Sequence, residues 1–242
     1  MSTITFISVI CLAVTHLFGG KLKFLSGTPR SIWLSVAGGI SVAYVFIHLL
    51  PELAEGQEVI RKSVDGILQA LDRHVYLMAL GGLIVFYGLE RAAKESHVRR
   101  KPDTERHAKD KKVFWLHVVS FSLYNTLIGY LLANNFESAK ALVFFFIAMA
   151  LHFIVTDFGL REQFEELYRS VGRWIFSMAI MLGWAIGQFI EVPEVATSAL
   201  VAILAGGVIL NVLKEELPEE RRSRFIPFLL GAALYAALLL AS

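Results

Sequence analysis

An all-helical membrane protein, a bundle of eight transmembrane helices, is the fold class this sequence predicts. Three observations predict it. Of 242 residues, 56% are hydrophobic and only 18% charged, whereas soluble domains are about 45–50% apolar. The charges are clustered, so uncharged stretches approach the roughly 20 residues that cross a hydrocarbon core. Lysine and arginine also alternate between successive loops.

The first apolar run, Thr3 to Gly19, has no basic segment before it and no small-residue cleavage site after it, so it reads as helix 1 and not as a removed signal peptide. Helix 2 is expected over Ser31 to Leu50, stopping at Pro51, and helix 3 over Val75 to Ala93. The charged stretch 95–112 has no apolar period and is expected to be a mobile loop. Helix 4 is expected over Val113 to Ala133. Helix 5 starts near Ser138, is apolar to Asp157 and is expected to run on, past residue 160, through the amphipathic tail LREQFEELYRS. Helix 6 follows over Val171 to Ile190, helix 7 over Ala196 to Leu213 and helix 8 over Phe225 to Leu240. The whole chain reads as one transmembrane domain.

The loops after helices 1, 3, 5 and 7 carry 19 of the 23 Lys and Arg residues, and those after helices 2, 4 and 6 carry Arg61, Lys62, Arg73 and Lys140. Basic loops stay in the cytoplasm, so both termini are expected outside. Trp33, Trp115 and Trp174 each fall at the start of an even-numbered helix, in the headgroup zone that tryptophan favours. A multi-pass protein of the cell membrane is expected, and the short chain suits a bacterial inner membrane.

Several function classes find no support. No basic patch is interleaved with aromatics, so no nucleic-acid partner is expected. The single cysteine, Cys11, excludes an intrachain disulfide and a cysteine zinc cluster. An HExxH pair, a nucleophile elbow, a P-loop and a dinucleotide fingerprint are all lacking, so an enzyme is not expected.

Helix 2 carries Ala37-Gly38-Gly39 and ends in HLLPEL; helix 7 carries Ala205-Gly206-Gly207 and ends in EELPEE. The two cross the membrane in opposite senses, as inverted repeats of secondary transporters do. Glycine-rich faces on helices 2, 3 and 7 also permit tight internal packing or a homodimer interface.

The stretches AGGISVAYVFIHLLPEL (helix 2), ALGGLIVFYGLER (helix 3) and AGGVILNVLKEELPE (helix 7) resemble the ZIP (Zrt/Irt-like) zinc-transporter family, and the resemblance covers most of the chain. It implies a 3+2+3 arrangement, two inverted three-helix repeats around helices 4 and 5, with a metal path along those two. The family's helix 4 motif, His-Asn-x-x-(Glu/Asp)-Gly, matches Tyr124-Asn125-Thr126-Leu127-Ile128-Gly129, where Tyr124 replaces the histidine and Ile128 the carboxylate. One branch has His-Glu-x-Pro-His-Glu in helix 5; here it reads His152-Phe153-Ile154-Val155-Thr156-Asp157, keeping His152 and a carboxylate at Asp157.

At about 100° per residue, His152 and Thr156 share a helix face while Asp157 lies roughly 140° from His152. The mid-membrane lining is then Tyr124, Asn125, His152 and Thr156, an uncharged set poor for zinc. The metal-ligand candidates are His152, Asp157, Asn125 and His117, the last matching Asp157 in depth near the cytoplasmic mouth. Ionisable groups at such depth are costly and functional by default. Tyr124, Thr156 and Ile128 line the path, and His48 and Glu52 form a candidate outer gate. His16 reads as a satisfied interhelical histidine. No resident cofactor is called for; a divalent metal, moved weakly, or another small solute is the expected cargo. The alternative is a transport-inactive protein of this fold acting as sensor, scaffold or subunit of a membrane partner.

Overall fold

The computed structural model describes residues 2–18, 31–63, 73–98, 103–134, 139–216 and 224–241, with the backbone alone at 2, 89–90, 92–98, 103–110 and 214–216. The loop residues Lys21, Lys23, Arg30, Arg99 to Lys101, Arg221 and Arg222, with Ser138 and Pro218, lie outside the described residues. The described chain is all helix: α1 (Ser2–Phe18), α2 (Ile32–Tyr44), α3 (Leu50–Ser63), α4 (His74–Val98), α5 (Asp103–Asn134), α6 (Ala139–Gln163), α7 (Glu165–Leu167), α8 (Arg173–Phe189), α9 (Glu194–Glu216) and α10 (Phe225–Leu240). π-Helical turns at Val45–Leu49 and Tyr168–Gly172 join α2 to α3 and α7 to α8, which leaves eight rods.

Five rods are long and apolar enough to cross a membrane: Ile32–Ser63, Lys111–Asn134, Ala139–Gln163, Glu165–Phe189 and Glu194–Leu213. Three shorter apolar helices accompany them: Thr3–Phe18, His74–Gly88 and Phe225–Leu240. Large apolar side chains such as Leu123, Met178, Leu182 and Leu234 point outward from the bundle. A soluble surface avoids apolar patches of that extent; this is a multi-pass membrane protein.

Three sequence expectations need correction. The second rod does not stop at Pro51. The Leu50 N–H bonds back to Val45 O, five residues away. This wide turn accommodates a ring that would otherwise collide with the carbonyl four residues back, and the helix runs on to Ser63. The charged stretch 95–112 is helical through Val98 and again from Asp103. The tail after Asp157 does not simply extend its helix. The chain turns at Phe164 (φ −137°, ψ 52°), because Phe164 and Tyr168 bury their rings against Phe114 and Phe176, and Glu165 opens the next rod.

Reciprocal glycine contacts fix the packing. A Cβ on Gly39 would strike the Phe228 carbonyl and one on Gly231 the Val36 carbonyl, where α2 crosses α10. Gly82 and Gly206 meet the Ile203 and Ala79 carbonyls where α4 crosses α9, and Gly129 and Gly183 meet those of Ile180 and Thr126 between α5 and α8. Backbones this close gain van der Waals and Cα–H···O contacts that no larger residue permits. Within the last pair Phe114 faces Gly172 and Ala133 faces Gly187, so the helices run parallel. In α2 and α10 the Arg224 N–H donates to Ser35 Oγ (3.3 Å), placing both helix starts at one end. The end of α6 packs against the start of α2 through Leu34, Ala37, Val155 and Phe158 and against the start of α5 through Phe114 and Leu160, so Lys111, Lys112, Arg161, Arg169, Arg173 and Arg224 gather at one basic end, with Trp33, Trp115 and Trp174.

At the opposite end the Gln57 side chain on α3 accepts from the buried Val75 N–H (3.0 Å), one of the unpaired donors in the first turn of α4. Gln57→Leu is expected to lower stability by about 1–3 kcal/mol, the cost of leaving that donor unsatisfied, measured by thermal unfolding in detergent.

Candidate functional site

The candidate residues of α5 and α6 lie in and between two cavities at successive depths, and His48 and Glu52 line the larger from the second rod. The larger, about 470 Å³, opens toward the end opposite the basic one. Its walls include Tyr44, His48, Glu52, Tyr124, Ile128 and Met149. The smaller, about 40 Å³, lies nearer the basic end and is walled by His117, Phe121, Thr156 and Asn211, among others. Along α5 the order is 117 and 121 in the small cavity, then 124 and 128 in the large; along α6 it is 156 and 159, then 149 and 145. Tyr124, Asn125, His152 and Phe153 form the layer between, all buried.

In that layer the His152 ring stands edge-on to Tyr124 (centroids 5.7 Å, 67°). The Tyr124 hydroxyl reaches Met149 Sδ at 3.8 Å, a weak acceptor. Thr156 accepts from Asn211 Nδ2 of α9 (3.2 Å). His117 stacks on Phe121 (6.0 Å, 16°) at the small cavity.

Asp157 takes a different direction, as its angle from His152 requires. Its Oδ2 and Oδ1 lie 2.9 and 3.1 Å from Nδ1 of His16 on α1. The other ring nitrogen, Nε2, lies 3.0 Å from Asn125 Oδ1 on α5. Asn125 Nδ2 donates to Phe121 O at 2.8 Å, which turns the amide oxygen toward His16 and requires a proton on Nε2. Tyr168 donates to the His16 carbonyl at 3.2 Å. Phe153 and Phe176 flank the His16 ring at 4.3 and 5.6 Å. Asp157 is 0% and His16 2% exposed, so this network ties α1, α5, α6 and the turn before α8 together in the buried interior.

The metal-ligand candidates thus divide. Asn125 and Asp157 meet at His16, His152 faces Tyr124, and His117, matched in depth to Asp157, has other neighbours. Among the described residues no three or more His, Cys, Asp or Glu side chains are grouped to hold a metal. His48 and Glu52 line the large cavity, 4.0 Å apart. Sequence reasoning missed Tyr168 and Tyr44, which carry no local signal. It placed His16 between helices without its partner, although an ionisable residue inside a spanning segment is signal enough.

The chain matches no family model, no curated protein and no solved structure.

Proposed function

We propose that this chain is a ZIP-like membrane transporter, moving a small cargo by alternating access between these two cavities, with the basic end in the cytoplasm and both termini outside. One observation carries the reading: the two cavities lie at successive depths along α5, α6 and α9, on opposite sides of the Tyr124–His152 layer. The first is wide, and the second has room for about one water. Rocking that closes one and opens the other would present the layer to each end in turn.

The helix pairing supports the 3+2+3 repeat: exchanging the first three rods with the last three turns the α2/α10 crossing into the α9/α4 crossing, and both are built on reciprocal glycines. In an eight-span reading α1, the apolar part of α4 and α10 complete the bundle; α1 and α10, at about 24–26 Å, are short for a ~30 Å hydrocarbon core and would thin it locally. The cargo is a divalent cation held weakly by His152 and neighbouring oxygens, or another small solute. In proteoliposomes, uptake of Zn²⁺, Mn²⁺ or one of a panel of small organic solutes is expected above that of empty vesicles, and His152→Ala should abolish it. Uptake no faster than leak for every solute would overturn the reading.

A second reading, a transport-inactive protein of this fold acting as sensor or scaffold, is favoured by one observation: His16 already occupies Asp157 and Asn125, two of the expected ligands. It predicts no uptake and a membrane protein that co-purifies in stable ratio.

A further inference from the structure

We infer that the large cavity binds a small organic amine in its ammonium form. The assignment rests on the transport reading only for its physiological sense; the binding stands on the cavity itself. At about 470 Å³ the space falls in the usual range of small-molecule sites, about 300–1,000 Å³. Its deep wall is apolar and aromatic, with Ile128, Phe145 and Met149, which suits an organic body. Its charged lining is acidic: Glu52 and Glu55 stand on α3, and among the described residues no lysine or arginine lines it.

Tyr44 supplies the second observation. It lines the cavity and is 5% exposed, its ring packs on His48 and Phe145, and among the described residues its hydroxyl has no hydrogen-bond partner. The hydroxyl is not sealed inside the protein but opens on the cavity, where an occupant can supply the hydrogen bond it lacks. The Tyr124 hydroxyl, with only a thioether, is nearly as poorly served. Two hydroxyl oxygens and a carboxylate beside aromatic rings are acceptors for a primary ammonium, whose charge the rings also attract. A divalent metal would need a grouped ligand set, which the described residues do not offer.

The test uses the full chain in phosphatidylcholine nanodiscs, titrated with 2-phenylethylammonium, with neutral 2-phenylethanol and with Zn²⁺ by calorimetry. The ammonium is expected to bind and the alcohol not. Glu52→Gln should weaken binding about tenfold or more, the scale of a lost hydrogen bond to a charged group, and Tyr44→Phe about two- to tenfold. Glu55→Gln, on an exposed position where folding is not at stake, should weaken it less but measurably. Equal affinity for the alcohol, binding of Zn²⁺ alone, no binding, or unchanged affinity in all three variants would each overturn the assignment. Loss of amine binding on adding phosphatidylethanolamine would also overturn it, making a lipid headgroup the occupant. Uptake of another solute without amine binding defeats this inference and spares the transport reading; amine binding without any uptake does the reverse.

Discussion

His16→Ala is expected to destabilise the protein by about 3–5 kcal/mol, because removing one partner of a fully buried pair leaves the other uncompensated. Asp157 would then sit at 0% exposure without the imidazole 2.9 Å away, and Asn125 Oδ1 would lose its donor. Asp157→Ala should cost a similar amount from the other side. The pair is not thereby a large net gain: an apolar pair of similar volume often does as well. The double variant His16→Phe with Asp157→Leu should therefore recover most of what either single change loses. Thermal unfolding in detergent of the double variant and of its constituent singles, His16→Phe and Asp157→Leu, run as a double-mutant cycle, measures this coupling. Losses that merely add would show that the two residues act independently, contrary to the geometry.

The neighbouring glycines of α4 should respond to alanine with opposite signs. A Cβ on Gly82 meets the Ile203 backbone of α9, whereas one on Gly81 meets nothing within 4 Å. Gly82→Ala must push two helices apart and is expected to cost about 1–3 kcal/mol or more, as overpacking does. Gly81→Ala relieves backbone entropy without a collision and should be neutral or stabilising by up to about 1 kcal/mol. Melting temperatures of the two variants decide the point: if both fall alike, the α4/α9 crossing is not built on Gly82.

Much of the fold is legible because membrane helices advertise themselves. Long apolar runs mark where the rods lie, although the second runs on to Ser63 and α5 begins at Asp103, well beyond the apolar runs themselves. What misled was local: Pro51 reads as a stop, but a π-helical turn just before it lets the helix continue. The tail after Asp157 reads as one amphipathic helix, but the burial of Phe164 turns the chain there. Helical spacing alone separated Asp157 from His152, and the structure turns the two toward different neighbours, His16 and Tyr124. It could not say that Asp157 meets His16, 141 positions away in sequence, because such a contact leaves no periodic trace. The cavities were illegible for the same reason: Tyr44 and Tyr124 share a wall only after α2 and α5 have packed.

The central claim, two cavities open by turns to opposite sides of a membrane, is tested most directly by side-specific labelling. In a Cys11→Ser background, Ile128→Cys places a thiol in the large cavity and Thr156→Cys one in the small. Intact cells and inverted vesicles are treated with a membrane-impermeant maleimide. The account predicts that position 128 labels rapidly from outside and position 156 slowly and only from the cytoplasmic side. Labelling of both from the same side, or of neither, would contradict it.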